Sequence, residues 1–126
     1  MIFDEACRVH TLLENSASLR PGKIAFIQDG QRASYGEINA MANRLARFLL
    51  AQGVAPGDRV VLLLENSLQY VASYYGALKA GGVAVPLNCE LKSEALAGIL
   101  EQLQPAAVVS CRKSEKLLRE AGPDRW

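Results

Sequence analysis

Tyr75-Gly-Ala-Leu-Lys-Ala-Gly-Gly-Val-Ala-Val-Pro-Leu-Asn88 runs from a helical pattern through a glycine pair into a short aliphatic stretch. A lysine two residues ahead of the pair gives it the look of a phosphate cradle. The order of the elements argues otherwise. Phosphate loops place glycines after a strand and before a helix, where free amides and the positive dipole end face the anion. Here Gly81 and Gly82 follow a helix and precede a strand. That is the carbonyl end, where the dipole is negative and repels an anion. The pair therefore reads as a helix C-cap with a tight entry into a buried strand. Lys79 fits there as a favourable cation near a helix C-terminus. Pro86 has no amide to donate, so the ladder should end there or lie at an edge.

The flanking segments repeat the same grammar. Arg59-Val-Val-Leu-Leu-Leu64 is aliphatic without alternation, which suits a strand covered on both faces. Asn66 is positioned as an N-cap with Gln69 as its reciprocal partner. The helix that follows turns Leu68, Val71, Ala72, Tyr75 and Leu78 inward and ends near Gly81. Val83–Leu87 is the next strand. Ser93–Gln104 is a helix with a Leu96, Ile99, Leu100, Leu103 stripe, stopped by Pro105. Ala106–Ser110 is a strand, and Ser114–Ala121 a short last helix. Strand and helix alternate with short connections, which builds crossovers and a mostly parallel sheet.

The first third differs. Val9–Leu19 reads as a helix, with Val9, Leu12, Leu13 and Ala17 at helical spacing and Pro21-Gly22 as its end. Lys23–Gln28 and Gln31–Ala33 read as strands around Asp29-Gly30, a dipeptide suited to a two-residue hairpin. Ser34-Tyr-Gly-Glu37 is a capping box. The helix behind it places Ile38, Met41, Ala42, Leu45 and Leu49 on one face. Gly53 terminates it, and Pro56-Gly57-Asp58 is a turn. The fold class is α/β: a partial, mostly parallel sheet flanked by helices, with a small β-hairpin near residues 23–33.

Composition narrows the function classes. With 14 basic and 13 acidic side chains and no basic stripe, nucleic acid is not an expected partner. The run Arg112–Lys116 mixes signs and reads as a solvated helix face. Cys7, Cys89 and Cys111 form no Cys-x-x-Cys or Cys/His cluster, so free thiols in a reducing compartment are expected and a zinc site is not. The acidic start is unlike a signal peptide, and the longest aliphatic run is far too short to span a bilayer. The expected location is cytoplasmic. A chain of 126 residues is one domain or a piece of a larger one.

Groups that could carry chemistry are sparse. Glu65-Asn66-Ser67 has the right polarity for an anion, after a strand and before a helix. It lacks glycines for close approach, and Glu65 opposes negative charge, so an ordinary cap is the default. Asn88 lies at the carboxyl end of a strand, where open α/β sheets place ligands, but turns also favour asparagine. His10 is the only histidine and has no visible nucleophile partner. Tyr70, Tyr74 and Tyr75 share no single face and read as packing residues. Asp29 and Glu37 serve a turn and a cap. No catalytic, cofactor-binding or metal-ligating residue is assigned.

A family resemblance goes further. Ser34-Tyr-Gly-Glu-Ile-Asn39, Ala42-Asn-Arg-Leu-Ala46 and Gly53-Val-Ala-Pro-Gly-Asp-Arg-Val60 resemble the front of the adenylate-forming (AMP-binding) enzymes. These are the acyl-CoA synthetases, the peptide-synthetase adenylation domains and the luciferases. Asn66–Tyr70 and Leu78–Asn88 continue the match in the same order. Pro86-Leu-Asn88 followed by Leu91-Lys92 is similar to the acyl-CoA synthetase branch. Adenylation domains usually show Pro-Leu-Asp and then Tyr-Pro.

The resemblance implies ATP-dependent activation of a carboxylic acid to an acyl-adenylate, then transfer to coenzyme A, with Mg²⁺ on the phosphates. It also implies an absence. The family's phosphate loop, adenine and ribose contacts and C-terminal catalytic lysine lie downstream of the matched part. None of those motifs occurs in residues 1–126. The expected reading is an N-terminal piece, inactive alone, with the ATP-binding core and lid domain missing. Its partners would be the rest of the enzyme or a second copy meeting the unfinished sheet. An autonomous, non-catalytic partner-binding module remains open, as does a domain that loads a carrier protein.

Overall fold

The computed structural model describes residues 8–122; Cys7, the acidic start and residues 123–126 lie outside them. The order is α1 (Val9–Leu19), β1 (Ile24–Gln28), β2 (Gln31–Ser34), α2 (Tyr35–Ala51), β3 (Arg59–Leu63), α3 (Leu68–Lys79), β4 (Val83–Pro86), α4 (Ser93–Leu103), β5 (Ala107–Ser110) and α5 (Arg112–Ala121). β1 and β2 form an antiparallel hairpin, and a separate parallel sheet has the order β4-β3-β5. The α/β class, the mostly parallel sheet and the hairpin are as the sequence predicts.

The unbroken aliphatic run of β3 is explained by two covers. Val60 and Leu62 pack with Ala46, Leu49, Val54, Ala77 and Ala80 from α2, α3 and the segments after them. Val61 and Leu63 face the other way, onto Leu96 and Leu100 of α4, with Leu117 and Leu118 of α5 against them. These four side chains, Val60 to Leu63, are 0% exposed. Each such side chain stabilises the fold by roughly 1.5–3 kcal/mol relative to exposure. A third cluster of Leu13, Ala33, Ile38, Ala42 and Leu68 seats α1 and the hairpin on α2 and α3.

Local chemistry sets the boundaries. Asp29 and Gly30 both have positive φ, 49° and 79°, as the two-residue hairpin needs. The capping box is present: Ser34 Oγ accepts from the Glu37 amide at 3.2 Å, and Glu37 Oε2 accepts from the Ser34 amide at 2.8 Å. At the far end of α2, the Val54 amide donates to Leu49 O and the Gly53 amide to Leu50 O, a Schellman closure.

Several details differ from expectation. The α3 N-cap is Ser67, not Asn66: the Ser67 hydroxyl accepts from the Tyr70 amide at 3.1 Å, and no Asn66–Gln69 box forms. Ser67 is fully extended while Asn66 O accepts from Gln28 Nε2 of the hairpin, so the helix begins one residue later. Of the residues expected to turn inward on α3, Leu68 and Ala72 are buried and Val71, Tyr75 and Leu78 half-buried, while the buried face takes in Ser73, Gly76 and Ala77. Gly76 touches α2 so closely that a β-carbon there would sit 3.0 Å from Leu45 Cβ. α5 begins at Arg112, ahead of Ser114, because the Ser114 hydroxyl turns inward toward Cys111 Sγ instead of capping. On α1, only half of the stripe is covered: Leu13 and Ala17 are buried, while Val9 and Leu12 are exposed.

Candidate functional site

The glycine pair has no amide to offer an anion. Gly81 takes φ 82°, its amide donates to Leu78 O, and the Gly82 amide donates to Ala77 O, each at 3.0 Å. This is a second Schellman closure. Gly81 O in turn accepts from the Gly57 amide at 2.9 Å, and the Val83 amide reaches Asp58 O at 2.8 Å. The loop is clamped to the turn that leads into β3. Lys79 is equally committed. Its side chain is 7% exposed, and Nζ donates to Glu14 Oε1 of α1 at 2.7 Å. That hydrogen bond holds the Glu14 carboxyl below the usual carboxylate range, against the opposing effect of burial.

Polar groups converge instead at the carboxyl ends of the parallel strands. α3 leaves β3 toward one face, while α4 and α5 cover the other. Helices that diverge in this way open crevices beside the strand end, the usual place for ligands in open α/β sheets. Between β3 and β4 lies a cleft of about 480 Å³, lined by Glu65, Asn66, Tyr70, Asn88, Cys89 and Glu90 among others. Asn88 serves a turn there, its Oδ1 accepting from the Glu90 amide at 2.8 Å. Between β3 and β5 the gap is bridged by an ion pair of Glu65 with Lys113. The hydrogen bond to Glu65 pushes the Lys113 ammonium up from its ordinary value. Both side chains are more than half exposed, so the pair adds little stability. The neighbouring Cys111 thiol is drawn down, first by the Ser114 hydroxyl, then by backbone amides at the start of α5.

Chemically, this end of the sheet offers carboxylates, carboxamides and a phenol. It suits a neutral polar or cationic group. It does not suit a triphosphate: the Tyr70 amide at the start of α3 is taken by Ser67, and Glu65 opposes negative charge. The residues of this crevice do not fit the phosphates of ATP, and no step through them follows from its side chains. Among the described residues, no three His, Cys, Asp or Glu side chains come together to hold a metal.

The remaining candidates are structural. His10 lies half-buried on α1 and adds a weak attraction that favours ionised Glu14. Tyr74 and Tyr75 meet edge to face, centroids 5.6 Å apart, and pack into different clusters. A hollow of about 700 Å³ along α5 is lined by charged side chains that pair with one another, Arg119 with Glu115 at 2.6 Å and Lys116 with Glu120 at 3.8 Å. That is the solvated face the mixed-sign run predicts. Sequence reasoning missed Lys113 as the partner of Glu65, because nothing local links positions 48 residues apart. It could have found Ser67, since a serine three residues before Tyr70 is an N-cap signal in its own right.

Comparison with known proteins places this architecture. The chain is 38% identical over 101 residues to a dimodular nonribosomal peptide synthase of Bacillus subtilis, covering 80% of this chain and 4% of that protein. It is also 38% identical over 100 residues to the long-chain-fatty-acid–CoA ligase FadD13 of Mycobacterium tuberculosis, covering 78% of this chain and 20% of the ligase. Its fold superposes on a benzoate CoA ligase from Burkholderia xenovorans with a TM-score of 0.86, at 28% identity, over 91% of this chain and 24% of that one. The chain thus spans only a small part of each relative. No described helix is long and apolar enough to cross a membrane. With the family model for the AMP-binding enzyme matching residues 13–125, the chain belongs to the AMP-binding, adenylate-forming enzymes.

Proposed function

We propose that this chain is the front scaffold of an ATP-dependent acid–CoA ligase and does no chemistry by itself. The family match over residues 13–125 carries the proposal. The longer protein would couple a carboxylic acid to AMP with release of pyrophosphate, then pass the acyl group to coenzyme A, with Mg²⁺ assisting at the phosphates. The committed amides of Gly81 and Gly82 and the buried pairing of Lys79 support a scaffold role, since they leave the phosphate chemistry to other segments. Free Cys89 and Cys111 agree with a cytoplasmic setting.

A second reading, an adenylation domain that loads a carrier protein, is favoured by one observation. Identity to the peptide synthase equals identity to the CoA ligase, 38% in each case. The Pro86-Leu-Asn88 and Leu91-Lys92 segments favour the CoA branch.

The test is acid-dependent ATP–pyrophosphate exchange by the gene product that contains this chain, across fatty, aromatic and amino acids. Thioester formation is then assayed with coenzyme A and with a phosphopantetheine carrier. Exchange followed by a CoA thioester is the expected result. A carrier-bound thioester alone would move the protein to the second reading. Exchange by the purified 126-residue chain would contradict the scaffold role.

A further inference from the structure

We infer that the parallel sheet grows from one side only: the outer edge of β5 takes a further parallel strand, supplied by the segment that follows α5 in the longer protein, and β4 stays the terminal strand. The inference rests on the scaffold reading only in taking the chain to continue, as do the CoA ligases of which it spans 20% and 24%. Two independent observations carry it. The first is the hydrogen bonding left free at the two edges. β3 is the central strand, so β4 and β5 each have one open side among the described residues. On β4, Val83 and Leu87 turn their amides to β3, onto Asp58 O and Leu62 O. Alternation along the strand then turns Ala84 and Pro86 outward, and Pro86 has no amide. On β5, the Ala106 amide reaches Arg59 O at 2.9 Å. Ala107 and Val109 therefore face outward, each with an amide and a carbonyl. Ala107-Val-Val-Ser110 carries no charge and no proline, the usual guards of a sheet edge, and all four residues are only half-buried.

The second observation is the hand of the crossovers. α3 packs on the Val60 and Leu62 face and carries the chain from β3 to β4. α4 packs on the Val61 and Leu63 face and carries it the other way, from β4 past β3 to β5. Opposite faces and opposite directions give both crossovers the same hand, which in parallel sheets is right-handed. α5 lies on the same face as α4, through Leu117, Leu118 and Ala121. A crossover of the same hand on that face continues in the direction of α4. The next parallel strand then falls beyond β5, on the open side, and not beside Pro86. There it meets the outward amides and carbonyls of Ala107 and Val109.

Single-residue amide hydrogen exchange on the full gene product tests this, with rates corrected for intrinsic chemistry. The Ala107 and Val109 amides should exchange about tenfold or more slowly than the Ala84 amide, since only they gain a backbone acceptor. The reverse order would put the new strand on β4, and fast exchange at all three would leave both edges open; either result would overturn the inference. Protection that vanishes on dilution would give the edge to a second copy and overturn it too. Strand direction is read from a crystal structure of the same protein, where an antiparallel neighbour on β5 would contradict the crossover argument. ATP–pyrophosphate exchange on the same sample separates this inference from the scaffold reading. Active protein with fast Ala107 and Val109 amides overturns the inference and leaves that reading standing. Inactive protein with protected amides does the reverse. A gene product that ends at Trp126 has no such strand and overturns both.

Discussion

Gly82 lies so close to Val60 that a β-carbon on it would meet Val60 Cγ2 at 3.1 Å, with Ala77 O and Asp58 O each at 3.2 Å. The contact explains why the loop carries two glycines. Gly81 supplies the positive φ that closes α3, and Gly82 lets the chain slide under β3. Gly82→Ala should therefore cost about 1–3 kcal/mol through overpacking. Gly81→Ala should cost about 1–2 kcal/mol through backbone strain. Urea unfolding measures both. A tolerated Gly82→Ala would mean that the close approach is not what the position requires.

The placement of the α3 cap is open to a three-way comparison. Ser67→Ala and Ser34→Ala should each lose about 1 kcal/mol, because each hydroxyl accepts from a helix amide. Asn66→Ala should stay within about 0.5 kcal/mol, since its backbone carbonyl makes the bond to Gln28. A larger loss at Asn66 than at Ser67 would restore the capping arrangement that the sequence pattern suggested.

Two neighbouring leucines test the double cover of β3. Leu62 and Leu63 point to opposite faces and are both 0% exposed. Leu62→Ala and Leu63→Ala should each cost about 2–5 kcal/mol. If one of them were nearly neutral, one face of the sheet would be open to solvent.

The Glu14 carboxyl should titrate below the ordinary glutamate value of about 4.3. The Lys79 hydrogen bond is the main cause, burial opposes it, and charge attraction from Lys79 and then His10 adds to it. A depressed folded-state value contributes stability that is present above about pH 4.3 and lost as pH falls through the folded value. Carboxyl NMR should show the low midpoint in the wild type and its return toward the ordinary value in Lys79→Met. An unchanged midpoint in that variant would mean that the ion pair does not set it.

Much of this was legible because it is local chemistry. Asp29-Gly30, Ser34 with Glu37, Gly53 and the Gly81-Gly82 pair each announce a turn, cap or helix end within a few residues. The aliphatic run of β3 announced a strand covered twice. What could not be read depends on contacts distant in sequence. The Lys79–Glu14 and Glu65–Lys113 pairs join positions 65 and 48 residues apart. The half-empty stripe of α1 is of the same kind, since periodicity marks a face but not whether anything covers it. The candidate site was the least legible part. Asn88 and Glu65 were visible singly, but their place at one crevice follows from the strand order β4-β3-β5.

The most direct test of the scaffold reading is the source gene's reading frame past the codon for Trp126. The scaffold reading predicts an in-frame continuation that carries a glycine-, serine- and threonine-rich loop with a lysine, the phosphate-binding part of the enzyme. A stop codon at that point in an expressed gene would contradict it. The chain would then be a non-catalytic member of its family, with a function to be sought among binding partners.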